Sequence, residues 1–206
     1  MMIQPGLARI EGFVKITDPN TGEVLVDKKN AIHYENISIA MARTLSNRTS
    51  AQGGGWIYAM AFGNGGSAVD PTGVITYLPP NTTGTNATLY NETYVKVVDD
   101  NSVADLDPAN NYMTVLHTSG QPYTDIVVTC TLDYGEPAGQ QAYDNSTNFN
   151  GEYVFDELGL QCYGTSATDL LLITHVIFHP VQKSLNRQIQ IDYTLRIQTL
   201  TNLSAA

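Results

Sequence analysis

The chain has 206 residues, of which 42% are hydrophobic and 15% charged, and its formal net charge is −10. That apolar content is enough for one real core. The ten Lys and Arg are spread over the whole length and do not form the clustered basic face that a general nucleic-acid binder needs. The charged share falls well below the usual value of about a quarter, so the polar surface has to be built from Asn, Thr, Ser, Gln and Gly. That suits a β protein with many loops, or a surface covered by neighbours, because charge is depleted at the centre of interfaces.

Met1-Met2-Ile3-Gln4-Pro5 carries no basic segment followed by an apolar run, so no signal peptide is expected and the chain is expected to be made and kept in a cytosol. The stretch from Leu170 to Phe178 is interrupted by Thr174 and His175 and is too short to span a bilayer. No membrane partner is expected. Cys130 and Cys162 both fall in β-like segments. In a reducing compartment they read as buried free thiols in preference to a disulfide or a metal site.

In chain order, residues 7–17 alternate loosely, with Ile10, Phe13, Val14 and Ile16 as the apolar set. Asp18-Pro19-Asn20-Thr21-Gly22 is strong turn chemistry, and Val24, Leu25 and Val26 resume the pattern, so a β-hairpin is expected. Asn36 is a good helix N-cap. The stripe Ile37, Ala40, Met41, Thr44 and Leu45 has the spacing of an amphipathic helix covering one opening or edge of a sandwich, with Asn47 as its stop. Trp56 to Phe62 reads as a strand running into Gly63-Asn64-Gly65-Gly66. Residues 67–91 read as a long loop or arm, and a loop of that length is usually functional, disordered or interfacial. Strands are expected at 93–98, 113–118 and 125–134, with an acidic turn at 99–111 between the first two. Residues 135–151 form a second long loop. Tyr153 to Tyr163 is a further strand. Leu170 to Phe178 reads as one continuous central strand ended by Pro180. Gln188 to Thr199 gives the cleanest alternation: Ile189, Ile191, Tyr193, Leu195 and Ile197 face one way. The expected fold is mostly β: a single β-sandwich domain over 1–206 with one amphipathic helix, long interfacial loops and an N-terminal arm at 1–6.

Chemistry is scarce. The glycine turn at 63–66 lacks the Lys and Ser/Thr of a phosphate loop and reads as a site of close backbone approach. Asp156 and Glu157 are adjacent on a strand and point to opposite faces, which favours fixing a corner over shared acid–base work. His175 and His179 lie roughly 13 Å apart at strand rise, too far for one metal ion, and read as structural. His33 and His117 show no partner in the sequence. The acidic loop Asp99, Asp100, Asn101, Asp105 and Asp107 has oxygen donors of the kind that hold Ca²⁺, but not the EF-hand order. A solvated acidic loop is the preferred reading. No nucleophile motif occurs, so no catalytic residue, metal or cofactor is assigned, and no small-molecule ligand is expected.

The order of these pieces resembles a module of small tailed-bacteriophage virion proteins, of the kind found in tail-collar, neck and fibre-attachment proteins. The pieces are Asn30 to Leu45, Ile57 to Gly66, Asp70-Pro71, Leu89-Tyr90-Asn91-Glu92-Thr93, Asp156-Glu157-Leu158-Gly159-Leu160, Leu171 to Phe178, Lys183, and Ile189 to Ile197. The loops at 67–88 and 135–151 are expanded relative to that pattern. The resemblance implies a non-enzymatic structural subunit of a virion, partnered by copies of itself in a ring or lattice and by other virion proteins. Two other readings remain open: a capsid decoration protein, and a carbohydrate-binding β-sandwich drawing on the twelve tyrosines. The residues expected to reach neighbours are Met1, Ile3, Pro5, Asp70, Pro71, Tyr77, Pro79, Pro80 and Tyr90.

Overall fold

Period-two patterning in the last third sets the centre of the sheet. The computed structural model describes residues 8–46, 54–137, 152–184 and 186–199. Strand β12 (Ile189–Thr199) buries Ile189, Ile191, Tyr193 and Leu195 and pairs antiparallel with β1 (Ala8–Thr17) on one side and β8 (Tyr123–Leu132) on the other. With β2 (Val24–Ile32) beyond β1 and β7 (Asn111–Leu116) beyond β8, these strands form one leaf in the order β2-β1-β12-β8-β7.

The second leaf runs β6 (Glu92–Val97), β3 (Ile57–Gly63), β9 (Glu152–Ser166), β11 (Thr174–Ser184). The leaves join at one corner, where Thr174 pairs with Ile32 and His175 with Ala31. One apolar cluster fills the space between them. It draws Val14, Ile16, Cys130, Leu132 and Tyr193 from the first leaf and Met60, Phe62, Phe155, Leu160 and Phe178 from the second. Phe155 meets both Phe62 and Phe178 edge-to-face, with centroids 5.5 and 5.7 Å apart, the geometry that aromatic quadrupoles favour. The fold is thus mostly β and sandwich-like, as the alternation predicts. Cys130 and Cys162 are free and buried in this core, and burial pushes both thiols up to about 12.

Several expectations need correction. The run from Leu170 to Phe178 is not one strand. It is β10 (Asp169–Leu172) and β11, laid end to end along the same edge of β9 and separated at Ile173. There the Ile173 carbonyl turns to accept the His33 N–H at 2.9 Å. Pro180 does not end β11. The register shifts between Ile177 and Val181, and this irregularity accommodates a residue with no N–H to give the ladder. Phe13 belongs to the outer face, where the Lys29 ammonium lies over its ring at 5.4 Å. The inward set of β1 is Ile10, Val14 and Ile16. Helix α1 (Tyr34–Leu45) is capped by His33, whose Nδ1 accepts from the Asn36 N–H, so Asn36 lies inside the first turn and is not the cap. Ile37 and Ala40 face the core. Asn47, the segment 1–6 and most of the 135–151 loop lie outside the described residues.

The stretch 67–91 is not featureless. It opens with a short hairpin, β4 (Ser67–Val69) and β5 (Ile75–Tyr77), turned by Asp70-Pro71-Thr72-Gly73. Gly73 has φ +85°, and the Asp70 carboxylate accepts from the Thr72 and Val74 N–H groups.

Candidate interaction surface

The glycine turn after β3 brings chain segments closer than side chains would allow. A Cβ on Gly63 would lie 2.5 Å from the Asn91 carbonyl oxygen and from Glu157 Oε1, and one on Gly66 would lie 2.9 Å from Ile177. The close approach puts the turn within reach of the two carboxylates of β9. Asp156 accepts from the Gly66 N–H at 3.0 Å and the Ser67 N–H at 2.7 Å, and also from the Ser67 hydroxyl. Glu157 accepts from Gly65, Tyr90 and Asn91 N–H groups at 3.0, 2.9 and 2.8 Å. The pair therefore fixes a corner, as read from the sequence, but not from opposite faces: Phe155 and Leu158 on either side of it both enter the core, so strand alternation breaks here and both carboxylates reach the same turn.

Burial pushes the Asp156 carboxyl up, more than its bonds to Ser67 and Gly66 pull it down. Burial acts the same way on Glu157, but the donors from His175, Asn91, Tyr90 and Gly65 together outweigh it and hold this carboxyl below its ordinary value. His175 is fully buried. Its Nδ1 accepts the Asn81 N–H at 2.8 Å, so its Nε2 carries the proton and donates to Glu157 Oε2 at 3.0 Å. His175 is structural, as expected. His33, which had no partner visible in sequence, plays the same part: its Nδ1 accepts at the helix cap, so Nε2–H donates to the Gly84 carbonyl at 2.9 Å. Asn36 Nδ2 donates to the carbonyls of Leu172 and Thr85.

These groups pin residues 78–91 onto the outside of the second leaf. Ala87 and Leu89 are buried, and Leu89 packs with Ala61 and Leu172 in a small second cluster. That is why all seven residues of β3 are buried: the core covers one face and this loop the other. Sequence reasoning missed the loop as a wall. The available signal was polar residues flanked by apolar runs: His33 after Ala31-Ile32, Asp156-Glu157 between Phe155 and Leu158, and His175 inside the apolar run from Leu170 to Phe178.

Beyond the wall the hairpin projects. Val69, Val74, Tyr77 and Leu78 are 62%, 55%, 50% and 47% exposed. Lys28 Nζ lies 5.9 Å from the Tyr77 ring centroid, and the Tyr77 hydroxyl is 3.3 Å from His179 Nδ1. Of the residues expected to reach neighbours, Asp70, Pro71, Tyr77, Pro79, Pro80 and Tyr90 are all exposed and lie on this one side. The Tyr90 hydroxyl donates to the Pro79 carbonyl at 2.7 Å. Met1, Ile3 and Pro5 lie outside the described residues.

A second surface feature is an open groove lined by Trp56, Tyr58, Tyr163, Met113, Asp99 and Val103. Trp56 stacks on Tyr163 with centroids 5.0 Å apart, and Tyr58 meets Tyr163 edge-on. The acidic loop beside it spends its carboxylates on its own turns: Asp99 accepts from the Asn101 N–H and Asp105 from the Asp107 N–H. Among the described residues, no three His, Cys, Asp or Glu side chains gather as metal ligands, and no helix is long and apolar enough to cross a membrane. Comparison with protein-family models, curated proteins and solved structures finds no match to this chain.

Proposed function

We propose that this chain is a non-enzymatic structural subunit of a tailed-phage virion, a collar, neck or tail-attachment component. It is made in the host cytoplasm and assembles with copies of itself and with other virion proteins. The observation that carries this reading is the projecting hairpin. Four large apolar side chains stand in solvent on a segment whose base is held by buried polar groups. Scattered single exposed apolar residues need no explanation, but a contiguous group suits a contact surface. Rigid anchoring suits it further, because a pre-ordered surface loses less entropy on binding. The order of sequence elements supports the phage assignment within that class.

Mass photometry and negative-stain imaging of the purified chain test the reading. A discrete ring supports the collar or neck role, and a shell-wide lattice on capsids supports a decoration protein instead. A stable monomer with enzymatic turnover overturns both. The groove carrying Trp56, Tyr58 and Tyr163 favours a second reading, carbohydrate binding, because aromatic rings beside Asp99 and Asn101 suit sugar faces and hydroxyls. Binding of the isolated protein on a glycan array, lost in Trp56→Ala, would establish it. No binding would remove it.

A further inference from the structure

We infer that the groove at Trp56 takes an amino sugar, a glycan whose free ammonium meets the Asp99 carboxylate, an inference that rests on the carbohydrate-binding reading above. Asp99 lines the groove and is 9% exposed. One of its carboxylate oxygens accepts the Asn101 N–H at 3.1 Å. The other has no hydrogen-bond partner among the described residues. A largely buried carboxylate oxygen without a donor is costly, so this position calls for a donor from outside.

The rings supply the rest of the seat. Trp56 and Tyr163 are both half-buried and stack with an interplanar angle of 10°, and buried Tyr58 braces Tyr163 from its edge. This fixed platform suits the C–H face of a sugar ring, and the ring quadrupoles also favour an ammonium beside it. Asn101 and Ser102, which also line the groove, offer an amide and a hydroxyl to sugar hydroxyls. Charge then selects the class of sugar. Asp99 is the one charged residue among those lining the groove, and the chain as a whole carries −10. Uronate, sulfated and phosphorylated glycans are therefore repelled, and a cationic one is attracted. An ammonium brings three N–H donors, and its bond to a carboxylate is stronger than that of a neutral hydroxyl.

Trp56 is the sole tryptophan of the chain, so its fluorescence reports occupancy of the groove. The full chain is titrated at mildly acidic pH with a glucosamine trisaccharide and with its N-acetylated counterpart, which has the same rings and linkages without the charge. The amino trisaccharide binds about tenfold tighter or more, the margin of one charge-assisted hydrogen bond. Asp99→Asn erases that preference, and its side chain still accepts the Asn101 N–H, so the turn is kept. Asp100→Asn makes the same change of charge at an exposed neighbour outside the groove. It leaves the preference in place, which separates a seated ammonium from general attraction to an acidic chain. Val103→Lys, at a fully exposed position lining the groove, weakens binding of the amino trisaccharide and repeats the test should Asp99→Asn fail to fold. Equal binding of the two trisaccharides, or equal losses in Asp99→Asn and Asp100→Asn, overturns this inference and leaves the carbohydrate reading standing. Binding of neither also overturns it, and silence on the glycan array as well removes both.

Discussion

Two polar connecting segments, 64–91 and 99–110, take opposite paths. The first is rich in Thr, Asn and Gly and the second in Asp and Asn, and both are poor in apolar periodicity. In the first, backbone groups are bound by side chains from distant strands and the helix: Glu157 and Asp156 from β9, His175 from β11, His33 and Asn36 at the helix start. In the second the bonds are mostly local, running from Ser102 to the Asp99 carbonyl, Asp105 to Ser102, and Asn110 to Asp107. The outcome shows in the apolar residues: Ala87 and Leu89 are buried, while Val103 and Leu106 are 100% and 94% exposed. Composition makes a segment a loop. Buried polar partners elsewhere in the chain decide whether that loop becomes part of the body.

The largest effect should come from removing the anchor that serves the most donors. Glu157→Ala leaves the N–H groups of Gly65, Tyr90 and Asn91 and the Nε2–H of His175 without their acceptor. Breaking a buried charged network of this kind costs about 3–5 kcal/mol. Asp107→Ala in the self-bonded loop should cost less than about 1 kcal/mol. Urea denaturation of the two variants compares the segments directly, and equal losses would dissolve the distinction drawn between them.

Steric contact gives the next effect. A Cβ on Gly159 would lie 2.5 Å from Leu172 Cδ1 and from the Thr174 carbonyl oxygen, with Leu89 Cδ2 at 3.3 Å. Gly159→Ala therefore pushes against both the lane beside β9 and the overlying loop, and should cost about 1–3 kcal/mol. Hydrogen exchange locates the damage: faster exchange at residues 87–91, with 101–107 unchanged, is the expected pattern.

How far the sequence foretold this follows from the range of the interactions. The strands of the first leaf were legible because inward and outward residues alternate on β12 itself. The glycine turn and the corner role of Asp156 and Glu157 were legible from residue type, but strand alternation wrongly put the two carboxylates on opposite faces, because Phe155 and Leu158 both turn inward around them. What the corner holds was not, because the partners of Glu157 lie at Gly65, Tyr90 and Asn91, far away in sequence. The break at Ile173 was hidden for the opposite reason. A continuous apolar run looks the same whether the chain makes one strand or two in the same lane. The role of Pro180 was misjudged because a strand can pass a proline where its register slips.

The smallest effect is one of sign, and it separates the two adjacent anchors. The Asp156 carboxyl is held above its ordinary value of 3.8 and the Glu157 carboxyl below its ordinary value of 4.5. A raised folded value contributes stability at low pH that is lost as pH rises from 3.8 through the folded value. A depressed one contributes stability above 4.5 that is lost as pH falls through the folded value. Asp156→Asn should therefore gain stability relative to wild type as pH rises through the carboxylate range, and Glu157→Gln should lose it. Urea midpoints of both variants and the wild type between acid and neutral pH measure the slopes. Slopes of the same sign would mean that one carboxylate is not held as described. Because Asp156 touches only the turn while Glu157 also holds the 90–91 segment and His175, only the Glu157 variant should loosen the wall beneath the hairpin.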